Sequence, residues 1–204
     1  MTDAKPYAAA SERNREPILA VLREHFADRS RVLEIGSGTG QHAVHFGAHL
    51  PHLTWRTSDR RANHPGIRAW LTEAALPNVL PPLDLDVTGE WPDERYDAAF
   101  SANTLHIMAW AEVTAMFAGL DRVLAADATL AIYGPFHYGG RATSDSNARF
   151  DASLRKRAPH MGIRDAGDVD RLAAEAGLAL VADVAMPANN RCRVWRRTLP
   201  DASR

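Results

Sequence analysis

Apolar positions along the chain change their period again and again, and the changes mark alternating strands and helices. Ile18, Leu22, His25 and Phe26 recur at helical spacing after Pro17, a residue suited to a first helical position, so a helix is expected from about there. Val32-Leu33-Glu34-Ile35 reads as a buried strand with one acid inside it. It breaks into Gly36-Ser37-Gly38-Thr39-Gly40, and a helical pattern resumes from Gln41 to Leu50. Leu53 to Ser58 forms a second strand with Asp59 at its end. A helix follows from about Pro65 to Ala75, with Ile67, Trp70, Leu71 and Ala74 as its apolar face, which makes Trp70 a core residue. Asn78-Val79-Leu80 opens a third strand, interrupted by Pro81-Pro82, and Leu83 to Val87 alternates after it. Tyr96 to Asn103 is a fourth strand, and Trp110 to Leu124 carries Val113, Phe117, Leu120 and Leu124 at helical spacing. Thr129 to Tyr133 is a fifth strand, running into a glycine- and aromatic-rich loop from Gly134 to Gly140. Asn147 to Asp151 opens a further amphipathic piece, and Val169 to Ala176 is a helix with Gly177 as its C-cap. Leu178 to Met186 and Arg191 to Thr198 are strands joined by Pro187-Ala188-Asn189-Asn190, which predicts an antiparallel hairpin. Pro200 to Arg204 reads as a frayed tail.

The richest chemistry sits where the first strand ends. Gly36, Gly38 and Gly40 permit positive φ and carry no Cβ, so a flat polar ligand can lie against the main chain. A dinucleotide fingerprint needs glycine or alanine at position 41, where the chain has Gln41, and Glu34 is a poor neighbour for a pyrophosphate. It is a good neighbour for a cation. Asp59 lies 19 residues past Gly40, close to the spacing of the ribose-binding acid in nucleoside-binding β-α-β units.

The segment Glu34-x-Gly36-x-Gly38-x-Gly40 resembles motif I of the class I S-adenosylmethionine-dependent methyltransferases. With the alternating elements and the closing hairpin, the resemblance covers nearly the whole chain. It implies a three-layer, Rossmann-like α/β fold: a mostly parallel seven-stranded sheet ending in an antiparallel hairpin. More narrowly, Arg13-Asn14, Ser37 to His42, Leu85-Asp86-Val87, Tyr133 to Phe136, Ser146-Asn147 with Phe150-Asp151, and Met186 to Asn190 are similar to the segments of a small single-domain methyltransferase-like family, domain of unknown function 938. The cofactor implied is S-adenosylmethionine, bound by Glu34, Gly36, Ser37, Gly38, Gly40 and Asp59. The same resemblance puts Asp86 and the Val87 backbone at the adenine amine, with Asp84 as the competing acid. Asn103, just past the fourth strand, is expected to face the glycine loop.

Arg13 is a candidate partner for the methionyl carboxylate, within an N-terminal segment (residues 1–16) that covers the cofactor; spacing alone also allows a solvated arginine. His106 follows the fourth strand, and its unperturbed pKa of about 6.5 suits a general base, although a packing role fits the same position. Tyr133, Asn147, Asn189 and Asn190 are candidate acceptor-pocket residues, each also at home in a turn or cap. Arg191 and Arg193, two apart on one strand, suit either one substrate carboxylate or solvent. His42, His45 and His49 share a helix face, but no acid or thiolate completes a metal set, and no metal is expected.

Composition then narrows the partners. A chain of 204 residues predicts one domain, residues 1–204, and a net charge of −1 lacks the basic excess of a general nucleic-acid or anionic-membrane binder. The single cysteine, Cys192, fits a buried apolar role in a reducing compartment. No signal-peptide pattern and no long apolar run occurs, so a cytoplasmic protein is expected. No Asn-Pro-Pro-Phe or Asp-Pro-Pro-Tyr segment follows the fourth strand, and the loop from Gly134 to Asn147 holds no lysine or arginine cluster. A small-molecule acceptor, methylated at O, N or S, is the expectation, with no nucleic-acid partner. A non-catalytic cofactor-binding protein and an NAD(P)-dependent reductase are the alternatives, and composition says nothing of the oligomeric state.

Overall fold

The computed structural model of the protein describes residues 5–197. Helix α1 (Ala9–His25) leads into β1 (Arg31–Ile35); α2 (Gln41–His49), β2 (Thr54–Asp59), α3 (His64–Ala74), β3 (Val79–Asp84), β4 (Tyr96–Ala102), α4 (Trp110–Val123) and β5 (Leu124–Gly134) follow. Then come β6 (Phe136–Tyr138), β7 (Arg141–Ala142), α5 (Asp145–Arg157) and β8 (Arg164–Asp165), and finally α6 (Ala166–Glu175), β9 (Leu178–Met186) and β10 (Asn190–Arg197). The main sheet has seven strands in the order β3-β2-β1-β4-β5-β10-β9. Only β10 runs against the rest, zipped between β5 and β9.

The alternation of side chains along each strand feeds two cores. Val32, Phe100, Tyr133 and Val194 face one core with α1 and α2. Leu33, Ile35, Leu130, Ile132 and Trp195 face the other with α4 and α6. The three-layer α/β fold read from the sequence is the fold observed.

Local boundaries differ in ways the physics explains. Helix α1 starts at Ala9 rather than near Pro17, which lies inside it. Proline there costs the hydrogen bond that would reach the Arg13 carbonyl, and the turn upstream is fastened by Asn14, which is buried and bonded to His42 Nε2 at 2.7 Å. The strand at Pro81-Pro82 is continuous, because β3 is the sheet edge and the two prolines fall where its pairing to β2 shifts register, between Arg56–Leu80 and Ser58–Leu83. Trp70 is not core: only Ile67 of α3 is buried. The stretch expected as a loop after Tyr133 contains β6, which pairs with β7 and β8 in a small second sheet. Thr198, the tail and the first four residues lie outside the described residues.

Arg191 and Arg193 are both spent internally. Arg193, only 2% exposed, meets the Asp170 carboxylate at 2.8 and 3.0 Å, and Trp195 donates to the same carboxylate at 2.9 Å. Arg191 pairs with Asp183 at 2.6 Å, and Asp183 also accepts from the Tyr138 hydroxyl. A buried guanidinium stripped of its main partner is strongly destabilising. Asp170→Ala is therefore expected to lower unfolding free energy by about 3 kcal/mol in urea titration, whereas a loss below about 0.5 kcal/mol would show the pair to be a surface ornament.

Candidate functional site

In an open α/β sheet the crevice forms where strand order reverses, here between β1 and β4. A cavity of about 1030 Å³ opens there, at the carboxyl ends of the strands, floored by Gly36, Ser37, Gly38 and Thr39 and by Asn103 and Thr104. Its size is that of a site for a nucleoside-sized ligand together with a second small molecule. The three loop glycines all have positive φ, at 73°, 59° and 90°. Their uses differ. A Cβ on Gly36 would lie 2.5 Å from Thr104 Cγ2, so this glycine lets the β4 loop close in; one on Gly38 would meet nothing within 4 Å, leaving backbone bare to the cavity.

Two carboxylates shape that loop. Glu34 does not line the cavity; it is buried beneath it, accepting from Ser37 Oγ at 2.7 Å and Trp55 Nε1 at 3.1 Å. Burial pushes its pKa up to about 7, against those two donors. Asp59 lines the cavity at the end of β2, and accepts from the Gly38 N–H at 2.7 Å, the Arg60 N–H at 2.7 Å and Asn63 Nδ2 at 2.8 Å. A carboxylate offers about four acceptor positions, so Asp59 retains room for a ribose hydroxyl.

The far end of the cavity is bounded by Leu85 and Val87, and by Arg60, which bridges Asp86 at 3.3 Å and Glu112 on α4. Asp86 is exposed, turned onto Thr88 and Arg60, and Asp84 pairs with Arg61. Asn103 holds a left-handed φ of 59° while its N–H donates to the Tyr133 carbonyl. Strain of this sort in a non-glycine residue clusters at functional sites.

The expected acceptor residues also come together, but their side chains contact one another. Asn147, buried, donates to Thr143 Oγ1 and to the Asn189 carbonyl; Asn189 donates to Ser146 Oγ, and Asn190 to the carbonyl of Pro187. They brace a turn in which Ala188 and Asn189 both have positive φ. Burial raises the pKa of Tyr133, against the opposing influence of Asn14, Asn190 and the charge of Arg13. Arg13 itself is exposed, and neither it nor this cluster lines the cavity. His106 is buried beside Phe150, at 5.3 Å between ring centroids, behind the cavity wall formed by Ile107 and Met108.

The N-terminal segment does lie as a strap over the mouth, as expected; the contacts that fasten it were missed. The Ala8 N–H donates to Gln41 Oε1 at 2.6 Å, Trp70 Nε1 donates to the Pro6 carbonyl at 2.7 Å, and the Lys5 ammonium lies 3.6 Å from the Trp70 ring centroid. Pro6, Ala8 and Ser11 thereby line the cavity. The signal was present in Gln41 and Trp70, read only as a broken fingerprint and a core aromatic. The wall residues Met108, His160 and Met161 gave no signal, since they lie far apart in sequence. Among the described residues, no three histidine, cysteine or acidic side chains converge as a metal site.

The model of a family described as a protein of unknown function (DUF938) matches residues 5–197. The chain belongs to that family. Solved structures share the fold of this DUF938 chain at low identity. An O-methyltransferase family protein from Burkholderia thailandensis has a TM-score of 0.80 at 16% identity, over 91% of this chain and 57% of its own. The S-adenosylmethionine-dependent methyltransferase SibL has 0.80 at 22%, over 93% and 56%. The mitomycin 7-O-methyltransferase MmcR has 0.81 at 16%, over 93% and 55%. The chain thus spans little more than half the length of these proteins, and what it shares with them is the methyltransferase fold.

Two measurements probe the site. Burial, reinforced for His42 by His45 and for His106 by Arg164 and Arg157, lowers both imidazoles from 6.5 to about 4. Unfolded, each binds a proton that the fold refuses, so stability is lost as pH falls from 6.5 toward 4; Glu34 runs the other way, its contribution falling as pH rises from 4.5 to about 7. In His106→Phe, the slope of unfolding free energy against pH between 5 and 6 is expected to drop by about one proton; an unchanged slope would show the ring charged in the fold. For the strap, Trp70→Ala removes a hydrogen bond and a cation–π contact, and hydrogen exchange at the Ala8 amide is expected to quicken by about tenfold. Exchange at the wild-type rate would show that the strap holds without Trp70.

Proposed function

We propose that this chain is a methyltransferase that binds S-adenosylmethionine in the cavity and passes its methyl group to a small molecule. The observation that supports this best is Asp59, hydrogen-bonded to the Gly38 N–H at 2.7 Å, so that the strand-end acid and the bare glycine backbone form one continuous cradle. The residues fit the ligand's chemistry. Asp59 sets negative charge beside the loop, which suits a sulfonium and an ammonium group and opposes a pyrophosphate; the reductase reading loses support for that reason.

In this reading Gly36, Ser37, Gly38 and Asn103 lie along the amino-acid end of the cofactor, with Gly40 setting the start of α2. Asp59 takes the ribose hydroxyls, and Val87 flanks the adenine with Asp86. Glu34 acts from beneath, by fixing the loop. Arg13 is exposed, has no ion-pair partner among the described residues and lies off the cavity even with the strap fastened, so it reaches the methionyl carboxylate only if its side chain turns inward. The cofactor supplies an activated methyl group; the protein's task is to align the acceptor and exclude water. Tyr133, Asn147, Asn189 and Asn190 hold the acceptor side in shape. The acceptor is read as a small molecule held against the apolar part of the cavity. No helix among the described residues is long and apolar enough to cross a membrane.

Calorimetry with S-adenosylhomocysteine tests the reading. Asp59→Ala is expected to weaken binding by about 1.5–3 kcal/mol, and Asp59→Asn by less, because its amide oxygen still accepts from the loop. NAD is expected not to bind. Equal affinity of wild type and Asp59→Ala, or preference for NAD, would overturn the assignment.

A further inference from the structure

The wall of the cavity away from the glycine loop joins two segments distant in sequence, Ile107-Met108 and His160-Met161. Arg164 is the stitch between them. Its guanidinium, half-buried, donates to the carbonyls of Leu105 at 3.0 Å, of His160 at 2.9 Å and of Met108, and no carboxylate lies within ion-pairing distance among the described residues. Its charge is met by carbonyl dipoles and by the Trp110 ring, 5.9 Å to the centroid, and so is not neutralised by an ion pair. Arg157, at the end of α5, likewise has no ion-pair partner among the described residues, and both charges act on His106. Residues 135–165, which contribute this wall, hold six arginines and lysines against three aspartates in a chain whose net charge is −1. The wall surface itself is apolar, with Ile107, Met108 and Met161 toward the cavity and Trp110 and Phe150 exposed nearby.

The wall also lacks an oriented base. His106 lies behind it, His42 is committed to Asn14, and Glu112 to Arg60 and the Ala109 N–H. His160 is exposed, with no hydrogen bond to its ring. An acceptor that must lose a proton is poorly served here, whereas one that arrives ionised needs no help.

We propose that the methyl acceptor is an apolar-bodied carboxylate, methylated on its carboxylate oxygen and drawn to the Met108–Met161 wall by the charges of Arg164 and Arg157. This rests on the methyltransferase reading above. A lone pair of the carboxylate oxygen forms the new C–O bond as the C–S bond breaks, and that bond's electron pair stays on sulfur. Sulfonium and carboxylate become a neutral thioether and a neutral ester, and no proton is released. The basic lobe steers the anion, and the apolar wall holds its body.

The full chain is first titrated with S-adenosylhomocysteine, then incubated with methyl-labelled S-adenosylmethionine and a low-molecular-weight cell extract. The expected product releases its label as methanol in dilute alkali, and its parent is retained on an anion exchanger at neutral pH. The acid so identified is then titrated in the presence of S-adenosylhomocysteine, where its neutral amide is expected to bind at least about tenfold more weakly. Arg157→Glu is expected to raise the KM for the acid by about tenfold and to leave S-adenosylhomocysteine affinity unchanged. Label that survives alkali, label found in added RNA, no label from a chain that binds S-adenosylhomocysteine, or equal binding of acid and amide overturns the carboxylate acceptor. A chain that fails to bind S-adenosylhomocysteine overturns the cofactor reading as well.

Discussion

A carboxyl group sealed into β1 governs the shape of everything above it. Glu34 holds Ser37 through its side chain, and Ser37 Oγ in turn accepts from the Ser58 N–H, while Ser58 Oγ donates back to the Glu34 carbonyl. The N–H groups of Gly36 and Ser37 both donate to the Ser58 carbonyl. Loop and second strand are therefore locked into one object, and Asp59, the next residue along, has no freedom to leave the loop it serves. A buried acid is a costly way to set a turn. Its cost is offset by two side-chain donors, Ser37 Oγ and Trp55 Nε1.

Much of this was legible in the sequence because the glycine-loop half of the cavity is local. Strand, glycine loop and strand-end acid follow one another within about one β-α-β unit, and each carries its own composition signal. The sheet was legible for the same reason: burial on both faces writes near-continuous apolar runs. What could not be read is what depends on distant pairings. The covering segment was expected, but its fastening rests on Pro6 meeting Trp70, and no periodicity distinguishes an aromatic that packs inward from one that holds a neighbouring segment. The start of α1 was misread because Pro17 carries a strong local signal for a helix start, and tertiary contacts of Asn14 overrode it.

The asparagines near the end of β5 teach a related point. Read singly, Asn147, Asn189 and Asn190 are amides facing a pocket. Together they form a brace that fixes two consecutive residues in left-handed backbone, so their side chains are occupied in shaping the frame. Residues that recur in a motif can serve geometry as readily as contact, and only the bonding partners tell the two apart. The lobe from Phe136 to Asp165 completes this division: one half of the cavity is built by local sequence, the other by an insertion whose walls meet through backbone carbonyls gathered round Arg164.

The place of β10 in the sheet has a consequence for how the chain is made. It follows both of its neighbours in sequence, yet it occupies an interior position with β5 on one side and β9 on the other. During synthesis both neighbours stand with open edges, and the guanidinium of Arg193 has not yet reached Asp170. Until Asn190 to Arg197 emerges, β9 offers Leu178-Ala179-Leu180-Val181 to any passing strand, an exposed apolar edge of the kind that recruits other chains. The growing polypeptide thus passes through an interval in which β5 and β9 both lack the strand that joins them, and when Asn190 to Arg197 fills that gap the outer side of β9 is the edge left open.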